Sequence, residues 1–264
     1  MKLSISNIAW AKEYDNEVYE FMRELGYSGL EIAPTRVFGE TPYNKLKEAS
    51  EFKTELKERR NFCIPSMQSL WYGRSERLFG SPDERLVLSE YTKEAIRFAK
   101  ELECGNLVFG CPKNRNTYLE EDFEIGLRFF RELGDYAAFN NTVIGFEANP
   151  VIYGTNYMND TLSAIKLVEN IKSTGLKLNL DLGTMIYNEE KADILQGKTG
   201  LVNHVHISEP NLKSIEKRKL HREVIEILSN EGYDGYISIE MQKVDDLSHL
   251  YDVMSYVKEI VYDI

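Results

Sequence analysis

The chain has 264 residues, and 42% of them are hydrophobic, which is enough to build one globular body around a sizeable core. Asp and Glu outnumber Lys and Arg by 43 to 32, and the net charge of −11 argues against nucleic acid as a partner, because affinity for phosphate backbones comes mainly from Lys and Arg. No apolar run resembles a signal peptide or a membrane span, and the three cysteines lack a Cys-x-x-Cys pair, so we expect a cytoplasmic protein without a membrane partner.

Short aliphatic or β-branched runs alternate with longer amphipathic stretches, with a period of about 33 residues, which is typical of βα units around a parallel sheet. The predicted strands are residues 3–7, 29–32, 63–68, 106–109, 142–147, 176–181, 202–208 and 236–241. The predicted helices are residues 16–25, 43–60, 83–102, 118–140, 160–173, 189–196, 219–231 and 247–261, of which 189–196 has the weakest amphipathic pattern. Residues 81–84, Ser-Pro-Asp-Glu, have the pattern of a helix start, with a capping serine and a glutamate three residues later.

Eight βα units in about 250 residues match the size of a (β/α)₈ TIM barrel. The last four strands alternate between apolar side chains and small or polar ones, which predicts one face packed on helices and one face turned toward an enclosed interior. The strands of a doubly wound open sheet would instead read as continuous apolar runs. Because no stretch resembles a linker, we predict a single α/β domain, one TIM barrel over residues 1–264.

Each of the last four predicted strands ends in a side chain that can bind a metal ion, namely Glu147, Asp181, His206 and Glu240. All four lie on the inward parity, and in a barrel the carboxyl ends of the strands surround one point. For any one of these four residues taken alone, the alternative to a metal ligand is an ordinary solvent-exposed loop residue. Three carboxylates buried together repel each other unless a cation compensates their charge. Oxygen ligands with one imidazole favour one divalent ion, Mn²⁺ above all, with Mg²⁺, Co²⁺ or Zn²⁺ as alternatives.

The order of these four residues at the strand ends resembles the xylose isomerase-like TIM-barrel superfamily, in particular its sugar isomerase, ketose 3-epimerase and inosose dehydratase branches. The resemblance spans essentially the whole chain, and its most specific parts are the runs Glu-x-Asn-Pro at 147–150 and His-Ile-x-Glu-Pro-Asn at 206–211. In that family the four matching residues hold one divalent ion, and the residues matching Glu147 and Glu240 also act as acid and base. The resemblance therefore implies a metal-dependent sugar isomerase or epimerase.

A metal that chelates a substrate carbonyl and the neighbouring hydroxyl acidifies the C–H bond between them and stabilises the enediolate that forms. Glu147 and Glu240 come from strands separated by two others, so one can remove a proton and the other can return one from a different side. Return to the opposite face gives epimerisation, and return to the neighbouring carbon gives isomerisation. Loss of a β-hydroxyl gives dehydration, so the alternative function is a dehydratase of a keto-polyol, of the inosose dehydratase type.

The chain departs from the family pattern at two positions. Ketose 3-epimerases commonly carry a substrate-contacting His three residues after the Asp ligand and an Arg six residues after the His ligand, where this chain has Thr184 and Leu212. We still expect a small carbohydrate-like substrate, and the candidates for binding it are Gln68, Trp71, Lys113, Arg115, Asn149, His204 and Glu209. Lys113 and Arg115 would recognise a carboxylate or phosphate, with a solvated loop as the alternative. For His204 the alternative is an interior residue that supports a ligand.

Two other functions are weighed against this hypothesis. Apurinic-site endonucleases of the same superfamily use a trinuclear zinc cluster, which needs histidines on the earlier strands, and strands one to four of this chain contain none. A non-catalytic barrel that serves as a binding subunit is the second alternative, and the pair of strand-end glutamates argues against it. His221 and His249 fall in helical patterns and are expected at the surface. Members of the resembling family are usually dimers or tetramers, so a homodimer or homotetramer is expected.

Overall fold

A ring of parallel strands forms the centre of the protein. The computed structural model describes residues 1–263. Within that range the regular strands are β1 (Lys2–Ser6), β2 (Gly29–Glu31), β3 (Leu107–Phe109), β4 (Ile144–Glu147), β5 (Leu176–Asp181), β6 (Val202–Ile207) and β7 (Tyr236–Ile239). They lie side by side in the order β2-β1-β7-β6-β5-β4-β3, and all of their pairings are parallel.

An irregular segment closes the ring between β2 and β3. Met67 in this segment bridges Ile32, just beyond β2, on one side and Leu107 of β3 on the other. Pro65 precedes Met67 and has no N–H to donate, which explains why the third predicted strand makes isolated bridges rather than a regular ladder. With this segment the ring has eight members, and the prediction of an α/β TIM barrel is confirmed.

Helices surround the ring. Within residues 1–263 the α-helices are α1 (Asp15–Leu25), α2 (Pro34–Phe38), α3 (Leu46–Arg60), α4 (Pro82–Glu101), α5 (Asp122–Phe139), α6 (Thr161–Ile171), α7 (Leu182–Tyr187), α8 (Lys219–Asn230) and α9 (Leu247–Tyr262). The predicted start of α4 is confirmed, because the Glu84 N–H donates to Ser81 Oγ at 3.2 Å and the Ser81 N–H donates to Glu84 Oε2 at 2.8 Å. None of the helices in the described part of the chain is both long and apolar enough to cross a bilayer.

One predicted helix is misplaced. Residues 189–196 contain only a short 3₁₀ turn at Ala192–Leu195, and the α-helix of this unit is α7, which follows β5 without a loop. Asp181 starts α7 as its N-cap, since its Oδ2 accepts a hydrogen bond from the Thr184 N–H at 2.7 Å. The first four of the six residues of α7 are buried, so this helix lacks the amphipathic period by which the other helices were predicted.

The barrel wall has an apolar outer face and a polar inner face, as the alternating strands predicted. Phe146 of β4 packs edge-to-face against Phe130 of α5, with ring centroids 5.1 Å apart. On the inner face, a Cβ atom at Gly145 would lie 2.4 Å from Asn106 Oδ1, so the glycine leaves room for this amide. Asn106 Nδ2 lies 3.3 Å from Asn179 Oδ1 of β5. The interior is therefore filled by a buried polar network beneath the carboxyl ends of the strands.

The prediction that His221 lies at the surface is wrong. His221 is fully buried between α8 and α9, where its Nδ1 lies 3.1 Å from the Tyr256 hydroxyl. The packing of α8 against α9 covers this position, which the helical pattern alone did not indicate. His249 is half-buried, and its Nε2 contacts the Ser214 hydroxyl.

Candidate metal centre

Ionisable side chains from four neighbouring strands converge at the carboxyl end of the ring. Glu147 ends β4, Asp181 ends β5, His206 lies in β6 and Glu240 directly follows β7. One ligand atom from each of these residues lies within 4.8 Å of the others. His206 Nδ1 is 3.1 Å from Glu147 Oε1 and 3.2 Å from Glu240 Oε2. The four residues that strand parity singled out are therefore close enough together to share one cation.

Without a counter-charge this cluster is electrostatically costly. Burial, reinforced by the Glu147 and Asp181 carboxylates, raises the pKa of Glu240 to about 7, although His206 opposes the shift. Burial and the Glu147 carboxylate also raise the pKa of Asp181. Burial would lower the pKa of His206, but the surrounding carboxylates outweigh it and bring this pKa well above its ordinary value. A divalent cation would stabilise the carboxylates that otherwise compete for protons, and three carboxylates with one imidazole fit such an ion.

Hydrogen bonds fix the Asp181 carboxylate. Its Oδ2 accepts from the N–H and the hydroxyl of Thr184, both at 2.7 Å, and its Oδ1 accepts from the Ser208 hydroxyl. The N–H of Gly183 in turn donates to Ser208 Oγ at 2.8 Å. Thr184, at one of the two positions where the chain departs from the expected family pattern, therefore supports the Asp181 carboxylate.

Two amides hold the Glu147 carboxylate. Asn179 Nδ2 donates to Glu147 Oε1 at 2.8 Å, and Asn149 Nδ2 donates to Glu147 Oε2 at 3.0 Å. A Cβ atom at Gly110 would lie 2.7 Å from Glu147 Oε2, so any larger residue at position 110 would displace the carboxylate. Both oxygens of Glu147 are thus oriented by groups that can only donate to them.

Glu31 is a site residue that the sequence analysis missed. It ends β2 and is fully buried, and its Oε2 lies 3.0 Å from His206 Nε2 and 2.9 Å from His204 Nε2. The signal was present, because Gly-Leu-Glu at 29–31 ends a strand on a polar inward residue, as the later strands do.

A cavity of about 550 Å³ opens above the cluster. Its wall contains residues from the strands and from the loops that follow them, namely Gln68, Ser69, Trp71, Tyr72, Gly73, Arg74, Val108, Gly110, Cys111, Pro112, Lys113, Asn114, Glu147, Asn149, Tyr153, Asp181, Ser208, Glu209, Leu212 and Glu240. Three members of the metal cluster therefore face the same cavity, which is in the size range of small-molecule sites.

Five of the seven predicted substrate residues line this cavity. Gln68, Trp71, Lys113 and Asn149 contribute to its wall, and only Lys113 among them is exposed to solvent. Glu209 also lines the cavity, but its carboxylate accepts two hydrogen bonds from the Arg218 guanidinium, at 2.6 and 2.7 Å. A paired carboxylate of this kind has little capacity left for a substrate hydroxyl.

Arg115 and His204, which the sequence also suggested as substrate contacts, do not line the cavity. Arg115 is fully buried behind the wall, where it donates to Glu147 O at 3.0 Å and to Asn149 Oδ1 at 2.9 Å. His204 lies one layer below His206 and is 1% exposed. Arg115 is held by Glu147 O and Asn149 Oδ1, and His204 lies beneath His206, so neither side chain faces the cavity.

Comparisons with known proteins agree with the fold. A family model described as a xylose isomerase-like TIM barrel matches residues 19–254. A 3-keto-D-glucoside 4-epimerase from E. coli has a TM-score of 0.77 and 19% identity, over 98% of this chain and 99% of that chain. A D-psicose 3-epimerase from Clostridium cellulolyticum H10, solved with D-tagatose, has a TM-score of 0.79 and 16% identity, over 100% of this chain and 99% of that chain.

A curated relative is also found in Methanocaldococcus jannaschii. It is an uncharacterized protein that is 25% identical over 189 residues, which is 67% of this chain. The match covers 64% of that protein, so this chain spans just under two thirds of the length of its relative.

Proposed function

Because this chain belongs to the xylose isomerase-like TIM-barrel family, we propose that it is an enzyme that isomerises or epimerises a small sugar or sugar derivative with the help of one divalent cation. The observation that carries the proposal is the convergence of three carboxylates and one imidazole at a cavity of about 550 Å³. The two epimerases of similar fold act on sugars, which supports the substrate class. Fold alone does not establish a reaction, so the proposal depends on the side chains of the site.

The side chains that would hold the cation are Glu147, Asp181, His206 and Glu240. When bound, a divalent cation supplies positive charge that stabilises negative charge developing on the oxygens of a substrate. A donor set rich in carboxylate oxygen is hard, and we propose Mn²⁺ as the ion, ahead of Mg²⁺, Co²⁺ and Zn²⁺.

Glu147 and Glu240 are the proposed acid and base. They come from the two outer members of the four neighbouring strands, with β5 and β6 between them, so they approach the space above the cluster from different sides. One carboxylate can remove a proton from a substrate carbon there, and the other can deliver a proton. The two amides that donate to Glu147 fix its orientation for this transfer.

Gln68 is the best-defined substrate contact. Its Nε2 donates to Ser6 Oγ at 2.6 Å and to Glu31 Oε1 at 3.1 Å, which uses both of its N–H groups. Only the Gln68 carbonyl oxygen is left for the cavity, and a carbonyl oxygen accepts a hydrogen bond from a hydroxyl group. This arrangement suits a polyhydroxylated substrate.

The direct test is exchange of substrate hydrogen with solvent. The protein is loaded with Mn²⁺ and incubated in D₂O with ketoses, aldoses and inososes, and deuterium at the carbon next to the carbonyl is followed by NMR. We expect deuterium to enter at least one of these substrates. A product that has lost water would identify the alternative dehydratase reaction, whereas no exchange with any carbohydrate would contradict the proposal and favour a non-catalytic barrel.

Glu240→Gln should abolish this exchange, because an amide cannot accept or deliver the proton. Metal binding should be weakened and still measurable by titration calorimetry, since the amide oxygen remains a ligand. Glu55→Gln is the matched control, because Glu55 lies on the exposed surface of α3 and pairs only with Arg59. Full activity in Glu240→Gln would show that the two-carboxylate mechanism is wrong.

A further inference from the structure

His206 is held from two sides by carboxylates. Its Nδ1 faces Glu147 and Glu240 in the cluster. On the other edge of the imidazole, its Nε2 lies 3.0 Å from Glu31 Oε2. Glu31 comes from β2, which is separated from β6 in the sheet by β1 and β7. Its carboxylate therefore crosses the interior of the barrel to reach this imidazole.

We propose that Glu31 is a positioning residue, which holds His206 in the tautomer with the proton on Nε2 so that the Nδ1 lone pair points into the cluster. A neutral imidazole carries one proton, and both of its nitrogens face carboxylates here. A cation held by Glu147 and Glu240 would take the place of a proton at Nδ1, so the single proton would remain on Nε2, where it donates to Glu31. The inference rests on the proposed function in that the ligand role of Nδ1 requires the cation.

A second contact supports the same tautomer. Asn179 Nδ2 lies 3.3 Å from His206 Nδ1, and the same amide nitrogen donates to Glu147 Oε1 at 2.8 Å. An amide nitrogen is a donor, so it favours an Nδ1 that carries a lone pair rather than a proton. This donor favours the same tautomer as Glu31 does, whereas the Glu147 and Glu240 carboxylates beside Nδ1 are compatible with that tautomer when a cation lies among them.

Glu31 is itself held in place. Its Oε1 accepts from Gln68 Nε2 at 3.1 Å, and its Oε2 lies 2.9 Å from His204 Nε2 as well as close to His206. All of these side chains are at least nine-tenths buried. A carboxylate fixed in this way can orient an imidazole without touching a substrate, and Glu31 is absent from the cavity wall. Outer carboxylates that orient histidine ligands raise metal affinity by roughly 10- to 100-fold.

The same three residues allow a competing interpretation. Glu31, His204 and His206 each offer a ligand atom within 4.8 Å of the others, so they form a second group that could hold an ion of its own. In that case Glu31 would be a ligand rather than a positioning residue. The two interpretations differ in the number of ions bound per chain and in the protonation of His206 Nε2.

The experiment compares the wild-type protein with Glu31→Gln and with Asp122→Asn. Asp122 is also a buried carboxylate, but it accepts hydrogen bonds from the backbone N–H groups of Tyr118 and Leu119 at the start of α5. Mn²⁺ affinity and stoichiometry are measured by titration calorimetry on each protein. We expect one ion per wild-type chain, a loss of affinity of roughly 10- to 100-fold in Glu31→Gln, and a change of less than about twofold in Asp122→Asn.

A second measurement needs no variant. The ¹⁵N NMR signals of His206 are recorded in the wild-type protein loaded with diamagnetic Zn²⁺. We expect the single imidazole proton on Nε2. Protonation of Nδ1 instead, unchanged Mn²⁺ affinity in a folded Glu31→Gln protein, or two ions per wild-type chain with one lost in Glu31→Gln would each overturn the proposal. A wild-type protein that binds no divalent cation would refute the proposed function and this inference with it, whereas unchanged affinity in Glu31→Gln would overturn this inference alone.

Discussion

Arg115 is a fully buried arginine, and among residues 1–263 no carboxylate lies at ion-pair distance from it. Its guanidinium lies 4.9 Å from the Phe146 ring centroid and donates to Glu147 O and Asn149 Oδ1. Burial lowers the pKa of Arg115 to about 10, so it remains charged at neutral pH. Because Asn149 Oδ1 accepts from Arg115, the amide nitrogen of Asn149 must face the Glu147 carboxylate. Arg115 therefore orients a proposed acid-base residue through an intermediate amide.

We predict that Arg115→Lys lowers kcat by about tenfold and changes KM by less than about twofold. Lysine lacks the planar guanidinium that donates to Glu147 O and Asn149 Oδ1 together, whereas the residues of the cavity wall are unchanged. Steady-state kinetics on the substrate found by deuterium exchange measure both parameters. Arg131→Lys on the exposed face of α5 is the matched control, since Arg131 donates to a backbone carbonyl of α6 and is absent from the cavity wall. A raised KM with unchanged kcat would instead indicate the direct substrate contact that the sequence suggested.

At the level of single residues, the sequence predicted the cluster better than its supports. Asp181 and His206 could be identified because side chains two residues apart in a strand point to the same face, which places both of these side chains on the inner face at the strand ends. The contact of Glu31 with His206 spans 175 residues and joins strands that are not neighbours, so no local spacing reveals it. The burial of Arg115 depends on how a loop turns, and composition gives no signal for that.

At the level of elements, close packing of helices on the ring depends on a few glycines. A Cβ atom at Gly175 would lie 2.0 Å from Gly134 O and 2.5 Å from Ala138 N of α5. Gly175 directly precedes β5, which ends in Asp181. The absence of a side chain at this position therefore lets α5 approach the start of a strand that carries a site residue.

Gly175→Ala should lower the free energy of unfolding by about 2 kcal/mol, because the added methyl group meets backbone atoms that cannot move aside without shifting α5. Urea denaturation measures the change. Gly200→Ala is the control, since a Cβ atom there has no other heavy atom within 4 Å. Equal stability of Gly175→Ala and the wild-type protein would mean that α5 does not pack this closely in solution.

The elements that sequence patterns predicted well are the long amphipathic helices and the alternating strands. Both have a period that a sequence displays directly, as in α4 with its Ser81 capping box. There are two exceptions. The short helix α7 is largely buried and therefore shows no amphipathic period. The closing segment 63–67 contains a proline and makes only isolated bridges, so it lacks the regular alternation of a strand. Such elements depend on tertiary contacts, which a single sequence does not reveal.

At the level of the whole molecule, closure of the ring explains how one site arises from residues that lie far apart in the sequence, between positions 147 and 240. The order of the strands places β4, β5, β6 and β7 side by side, so their carboxyl ends deliver four side chains to one point. The sequence predicts this convergence once the barrel is inferred. The cavity wall comes from non-periodic loops, and for that reason the substrate could be predicted only as a chemical class.

The most direct test of the shared cation site is a crystal structure of the protein grown with Mn²⁺, with anomalous diffraction recorded at the manganese absorption edge. We expect a single anomalous peak within bonding distance of the carboxylates of Glu147, Asp181 and Glu240 and of His206 Nδ1. The absence of a peak at these four side chains, or a peak bound only between Glu31, His204 and His206, would show that the four residues do not share one cation.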